Sequence, residues 1–453
     1  MPSLSLPRPS AACPVASDGH DGPPRSGVSY RTGFWFTALS FTVLMAFGTA
    51  PTPLWPLYAE RDGFGTTTTT VVFAALVVGA GLGFLALGHL SDRFGRRRIV
   101  VPALSVVTVA ALVYVFWPTL PGLLAGRLLN GAGIGLMAST ATTYLHDLHH
   151  RAHPDRPGAA FPGIVATTAN LGGLALGPLL AGAAAEWTDA PLALVQGGFA
   201  VATALCLVLA LTVPETVGRE RRSVDRPRRF ALRVAGRRAF LTACVLGFCA
   251  FALFGLVASL GAVMLHVKLG VASPLVVGLA GFLMSAGAAT GQLALGRLTP
   301  ARAATSGCVL FPAGLALVAF SLYHPVLWLY LAAIAAAGAG AGLLFKAGVA
   351  TAGPAAAPDS RAGVLAAYFA VCYAGMGVPS VGFSLLSERF GMGPTMIGFA
   401  AALSTAAAFA ALALRSRAGS GAATSATVPR PGRGGRPLRT VEEPGVRAAI
   451  TRK

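Results

Sequence analysis

The chain has 453 residues, of which 55% are hydrophobic and only 11% are charged. A soluble domain carries about 25% charged residues, so this composition excludes one and indicates a polytopic membrane protein. The formal net charge of +19 would suggest a nucleic-acid partner in a soluble protein. Here the basic residues lie in loops between apolar segments, so membrane topology explains them and no nucleic-acid partner is predicted.

Twelve apolar segments follow one another, each near the 20 or so residues that cross a bilayer. Their predicted limits are 34–57, 67–88, 99–117, 120–145, 160–186, 191–213, 240–264, 275–296, 303–323, 326–350, 361–386 and 393–415. A basic loop, 214–239, separates two predicted six-helix bundles, 34–213 and 240–415. The flanking residues 1–33 and 416–453 are polar and rich in Pro and Gly, which predicts disordered cytoplasmic tails.

Arginine and lysine are distributed unevenly between the two predicted sides. If the N-terminus is inside, only Arg61, Lys268 and Arg389 lie in outer loops. Positive residues favour the cytoplasmic side, so both termini are predicted to be cytoplasmic. The abundance of Ala, Gly and Arg over Lys is typical of a GC-rich bacterial genome, which predicts a bacterial cytoplasmic (inner) membrane protein.

A short basic segment, 88–98, joins the second and third spans. Gly88 and Asp92 are four residues apart and would share one helix face. Part of the motif recurs, because Gly83–Asp92 aligns with Gly291–Pro300 at six of ten positions. Duplication of a six-helix half explains this repeat, and shared Ala, Gly and Leu bias is the alternative. A plain cytoplasmic turn is the alternative interpretation of the segment itself.

This segment resembles the signature loop of the major facilitator superfamily, which lies between the second and third helices. The resemblance implies two pseudo-symmetric six-helix bundles and an aspartate, Asp92, that latches them in the outward-facing state. The second copy has Pro300 where the first has Asp92, so one latch is intact. The residues carried over to this latch are Gly88, Asp92, Arg93, Gly95, Arg96 and Arg97.

The fourth span contains Arg127, predicted to be the only formal charge well inside any span. A charge within the membrane marks a functional site by default. Gly131 and Gly135 share a face and permit close packing against another helix. The pattern resembles the family's fourth-helix motif, which implies that Arg127 takes part in proton coupling. A structural arginine held by backbone carbonyls is the alternative.

The fifth span contains small residues at four-residue spacing around a Gly-Pro pair, which loosens a helix. The segment Gly173–Gly182 is similar to the family's antiporter motif, with Ala181 in place of its penultimate glycine. The resemblance implies exchange of substrate for protons. The residues carried over are Gly173, Gly177, Pro178 and Gly182.

The first span has no carboxylate before Glu60, although many proton-driven exporters of the family carry one there or elsewhere in the cavity. Proton carriers would then be Asp92, Asp147, Glu186, Glu215 or His146. The substrate cavity is expected to be lined by neutral groups, since polar side chains facing lipid are costly, although each could equally bond another helix. The candidates are Asn130, Tyr144, Asn170, Gln196, Gln292, Tyr368 and Tyr373.

Four histidines after the fourth span, in 146–153, would share a face if helical, and such spacing can bind a metal. A polar cytoplasmic loop is the preferred interpretation, and no metal is predicted.

The combined expectation is a proton-coupled exporter of small organic molecules that works by alternating access. Proton symport or facilitated uptake of a metabolite is the alternative. A membrane enzyme is disfavoured, because the sequence has no nucleotide-binding loop and no convincing nucleophile–base pair, and no cofactor is predicted. The expected partners are the substrate, protons and the lipid bilayer, and the resemblance implies a monomer.

Overall fold

The structure is a computed structural model that describes residues 27–87, 95–155, 158–217, 230–233, 236–293, 298–357 and 360–426. Within these ranges the chain is helical, apart from short connections and one isolated bridge between Leu232 and Ala356. The helices are α1 (Tyr30–Thr49), α2 (Trp55–Asp62), α3 (Thr66–Leu87), α4 (Arg97–Phe116), α5 (Leu120–Ala152), α6 (Phe161–Trp187), α7 (Pro191–Thr212), α8 (Gly236–Leu269), α9 (Pro274–Leu293), α10 (Pro300–Tyr323), α11 (Leu327–Ala355), α12 (Arg361–Phe390) and α13 (Met392–Ala426).

Among the described residues, eleven helical segments are long and apolar enough to cross a membrane, with α1 and α2 counted together as Tyr30–Asp62. The 33-residue helix α5 makes the twelfth and is more polar, because it carries Arg127 and three histidines. The predicted all-α membrane fold with twelve spans is therefore confirmed.

Several helices begin with a proline in their first two positions, namely α2, α5, α6, α7, α9 and α10. The first N–H groups of a helix have no partner within it, so a proline there removes no helical hydrogen bond. These prolines therefore mark helix starts that were visible in the sequence.

The first span was predicted to be one helix over 34–57, but the structure shows a break in it. Helix α1 ends at Thr49, a 3-10 turn spans Thr52–Leu54, and α2 starts at Trp55. Pro51 and Pro53 lie at this break, and a proline inside a helix removes a hydrogen bond and clashes with the preceding turn. The apolar segment predicted as one helix is therefore two helices joined by a short turn.

Several other helices continue past their predicted ends, among them the following three. Helix α5 extends to Ala152, α11 to Ala355 and α13 to Ala426, against predicted ends at 145, 350 and 415. The N-terminal tail up to residue 26 and most of the central loop lie outside the described residues, as does the C-terminal tail from residue 427.

The spans form two halves, α1–α7 and α8–α13. One hydrophobic core lies in the first half, and another lies mainly in the second half and includes Phe73, Val77 and Leu171 of the first. Two helix pairs make most of the contact between the halves, α6 with α9 and α3 with α12. Following the arginine distribution, we call the end that holds the α3–α4 loop the inner end. The opposite end, which holds α2, is called the outer end.

Candidate functional site

The described part of the 88–98 motif begins at Gly95, where the chain turns into α4. Gly95 is buried with φ of +112°, a conformation that favours glycine. The backbone N–H of Arg96 donates to the Glu215 carboxylate at 2.8 Å, and the Arg96 Nε lies 3.2 Å from Asp147. Arg97 donates to the Leu211 carbonyl.

Glu215 binds several groups at the inner end. Its Oε1 also accepts from the backbone N–H groups of Thr216, at 2.9 Å, and Val217, at 3.2 Å. The Thr216 hydroxyl reaches Asp147 at 3.2 Å, and Arg151 donates to the Thr216 carbonyl at 2.8 Å. The segment after α7 is thereby bound to both α5 and the start of α4.

The motif residues Gly88, Asp92 and Arg93 lie outside the described residues, so their predicted latch role stays a prediction. Glu215 and Asp147 were absent from the predicted latch, although they bind its described residues. The sequence contained signals that could have identified both. Pro214, Glu215 and Thr216 resemble a family feature, and Asp147 is an acidic residue at a span end.

Arg127 on α5 is 1% exposed and faces the end of α1. It donates to the Gly48 carbonyl at 2.8 Å, and its guanidinium lies 4.8 Å from the centre of the Trp55 ring. Gly48 is in the last turn of α1, where carbonyls have no helical partner and the helix dipole is negative. This geometry matches the carbonyl-held alternative, and it arises from the break after α1.

A second formal charge, Lys346, lies within the long apolar helix α11. Lys346 lies nine residues before the end of α11, or about 14 Å along the helix. Its amine donates to the Gln292 carbonyl at 2.7 Å. The expectation that Arg127 is the only charge well inside a span stays a prediction.

The glycines of α5 pack against α3 as expected from their spacing. A Cβ on Gly131 would overlap the Leu76 carbonyl, and one on Gly135 would overlap the Ala80 carbonyl. The two helix backbones therefore approach closely on this face.

The glycine-rich segment of α6 has two neighbours, one in each half. Gly173 and Gly177 lie against the backbone of α1, where a Cβ on Gly177 would overlap the Ala46 carbonyl. Gly182 lies against the backbone at Pro274, and Gly278 of α9 lies against the backbone carbonyl of Pro178. We call the contact between α6 and α9 the small-residue seam. It brings the predicted antiporter motif to the boundary between the halves.

A cavity of about 40 Å³ lies between the halves, near the middle of its lining helices. Its walls are mostly apolar, with Phe73 and Leu174 from one half and Phe254 and Met284 from the other. The sixteen lining residues include no Asp, Glu, Lys, Arg or His, and the polar ones are Thr49, Thr52, Ser285 and Tyr373.

The predicted cavity residues are not brought together. Tyr373 lines the cavity, and Asn170 and Gln292 are half-buried elsewhere. The others are buried and bond other groups: Asn130 donates to the Phe47 carbonyl, Tyr144 to Pro214, Gln196 to the Tyr58 hydroxyl and Tyr368 to the Phe345 carbonyl. For Asn130, Gln196 and Tyr368 the geometry favours the alternative of contacts between helices. Tyr144 bonds the segment that follows α7.

The histidine segment is helical up to Ala152, and His149 stacks near His153 with ring centroids 4.8 Å apart. His149 also lies near the rings of Phe34 and Phe161. Within the described parts of the chain, no three His, Cys, Asp or Glu side chains are placed to hold a metal ion.

Curated relatives match parts of the chain. The probable drug/proton antiporter YHK8 of Saccharomyces cerevisiae is 27% identical over 186 residues, 40% of this chain and 33% of that protein. The arabinose-proton symporter of Bacillus subtilis is 33% identical over 75 residues, 17% of this chain and 16% of the relative. The bacillibactin exporter of Bacillus subtilis is 28% identical over 140 residues, 30% of this chain and 34% of the relative. The chain thus matches about a third or less of each relative's length.

Solved structures share the fold over most of the chain. A bacterial homologue of the human lysosomal transporter Spinster, inward-facing and unoccupied, aligns with a TM-score of 0.64 at 15% identity, covering 85% of this chain and 97% of that one. The human organic anion transporter MFSD10 aligns with a TM-score of 0.62 at 15% identity, covering 84% of this chain and 99% of that one. The model of the Major Facilitator Superfamily matches residues 36–381. The chain therefore belongs to the major facilitator superfamily and is a secondary transporter, not an enzyme.

Proposed function

We propose that this transporter exports small organic molecules across a bacterial cytoplasmic membrane in exchange for protons. Both termini are then cytoplasmic and the protein acts as a monomer. The observation that carries the proposal is the position of the antiporter-like motif. Gly177, Pro178 and Gly182 lie where α6 contacts α1 of its own half and α9 of the other. A contact there has to change when the halves rock around a central site.

The relatives support export without deciding it. One is named a drug/proton antiporter and another a bacillibactin exporter. Uptake by proton symport remains the second candidate, since an arabinose-proton symporter also matches and the central cavity has no carboxylate.

The lining of the central cavity favours a neutral amphiphilic substrate. A formal charge on the substrate would be costly to bury there without a counter-charge among the lining residues. A sugar would need several polar partners, and the lining offers four polar side chains among sixteen residues.

In this proposal Asp92 and Arg93 belong to the latch between the halves, and the bond from Arg96 to Glu215 fixes the start of α4, which follows the latch loop in the sequence. Arg127 links α5 to the end of α1, so a shift of α1 would change the hydrogen bond that its guanidinium donates to Gly48. Proton binding drives transport only if it favours one of the two states over the other.

The test is accumulation of amphiphilic antibiotics and dyes in an exporter-deficient bacterial host that expresses the protein, with and without a protonophore. Export predicts lower accumulation that the protonophore reverses. Higher accumulation of a compound would instead support uptake. A decrease that persists with the protonophore would contradict proton coupling.

A matched pair of variants tests the role of α6. Gly177→Ala introduces a Cβ that overlaps the Ala46 carbonyl, whereas Gly172→Ala adds one with nothing within 4 Å. Overpacking costs about 1–3 kcal/mol, so we expect Gly177→Ala to reduce export about tenfold or more and Gly172→Ala to leave it within about twofold. Equal export by both well-expressed variants would contradict the assignment.

A further inference from the structure

Two glutamates at the outer end each connect one half of the molecule to the other. Glu186 is in the last turn of α6. Its carboxylate accepts a hydrogen bond from the Ser273 hydroxyl at 2.7 Å and a longer one from the backbone N–H of Leu275 at 3.4 Å. Ser273 and Leu275 form the start of α9, so this carboxylate joins the halves beyond the small-residue seam.

Glu388 makes the corresponding contact from the second half to the first. It lies in the last turn of α12, and its carboxylate accepts from the hydroxyl of Thr67. Thr67 is in the first turn of α3, and its hydroxyl also lies 3.2 Å from the Ser384 hydroxyl of α12. Both carboxylates are exposed at the outer end.

The two contacts are equivalent under the internal duplication. Helices α3 and α9 are the second spans of their halves, and the repeated sequence lies at their inner ends. Helices α6 and α12 are the fifth spans. Each glutamate thus joins the end of a fifth span to the start of the second span in the other half. Both halves retain this arrangement, although only the first half retains the aspartate of the repeated loop.

The chemistry suits a contact that opens and closes. A helix start carries free N–H groups and a positive dipole end, which attract a carboxylate. The attraction is screened because the groups are exposed, so each contact is weak enough to be broken in a conformational cycle. Both contacts hold the two halves together at the outer end.

We propose that Glu186 and Glu388 form paired outer clasps that hold the outer end closed and so stabilise the inward-facing state. Opening of the outer end requires both carboxylates to leave their helix starts. The inference rests on the proposed transport function only in assuming that the outer end opens during the cycle. It does not depend on the substrate or on proton coupling.

Hydrogen-exchange mass spectrometry of the purified protein tests the clasps without any substrate. We expect Glu186→Gln to raise amide exchange about threefold to tenfold at the start of α9, and also at the distant start of α3, because weakening one clasp shifts the shared equilibrium. Glu388→Gln should give the reciprocal pattern. Ser273→Ala, which removes the hydroxyl partner and leaves the carboxylate, should resemble Glu186→Gln.

Glu60→Gln is the matched control, since it removes another exposed carboxylate at the outer end. Faster exchange confined to the substituted clasp would overturn the proposal, because the glutamate would then only cap a local helix start. The same increase in Glu60→Gln would also overturn it, since net charge would be the cause. If the export assay fails but each glutamate variant still raises amide exchange at both helix starts, the proposed function is contradicted and the proposed clasps are supported.

Discussion

The two copies of the duplicated loop stabilise the helices that follow them in different ways. Before α10, Thr299 is a local cap whose hydroxyl accepts from the backbone N–H of Arg302 at 3.4 Å, and Pro300 occupies the first helical position. Before α4, the residue at the cap position, Arg96, makes no side-chain cap bond, and its N–H donates instead to Glu215, 119 residues away.

This difference shows which copy is coupled to the rest of the molecule. A local cap stabilises its own helix and places no constraint on distant parts. The Glu215 contact ties the start of α4 to the segment after α7 and, through Asp147, to α5. Among the described residues, the second copy contributes a local cap at Thr299, while the first takes part in a network that reaches across its half.

Among substitutions that test this difference, Glu215→Gln is expected to have the largest effect on export. The substitution keeps one acceptor oxygen but removes the charge that three backbone N–H groups approach, and charge-assisted bonds are about twice as strong as neutral ones. We expect export to fall about tenfold in the accumulation assay, with the folded protein retained in detergent size-exclusion profiles. Export at the level of the unsubstituted protein would mean that the network is only structural.

Gly95→Ala should have an intermediate effect. Its φ of +112° disfavours any side chain, and the Cβ would meet the Glu215 carboxylate. Strain of this kind costs about 1–3 kcal/mol, so we expect a lower melting temperature and a severalfold loss of export. A melting temperature equal to that of the unsubstituted protein would show that the turn can adopt another backbone conformation.

Thr299→Ala should have the smallest effect. Loss of a helix cap costs about 1 kcal/mol, and nothing outside α10 depends on the contacts described for Thr299. We expect a slightly lower melting temperature and export within about twofold of the unsubstituted protein. An export loss as large as that of Glu215→Gln would show that the second loop also takes part in transport.

The sequence was sufficient to predict the features that depend on residues close together in the chain. Span positions follow from local hydrophobicity, and the close approach of Gly131 and Gly135 to α3 follows from their spacing of four. The break after α1 could also have been predicted, because Pro51 and Pro53 lie inside the predicted span.

The direction in which isolated polar side chains point could not be predicted in the same way. Asn130, Gln196 and Tyr368 lie in helices that are apolar on most faces, so no polar–apolar period marks the buried side. Their partners are backbone carbonyls or hydroxyls, whose availability depends on where another helix ends or passes. The contact between Thr67 and Glu388 joins residues 321 positions apart, and no local pattern signals it.

The small-residue seam between α6 and α9 has a consequence for the energetics of the transport cycle. Side chains of Gly, Ala and Pro lose no rotamer freedom when they become buried, whereas long side chains lose up to about 2 kcal/mol each. Gly182, Pro178 and Gly278 can therefore come together and separate without ordering or releasing side-chain conformations. The two helices can move past one another as rigid rods, so this contact adds little conformational entropy to the barrier between the two states.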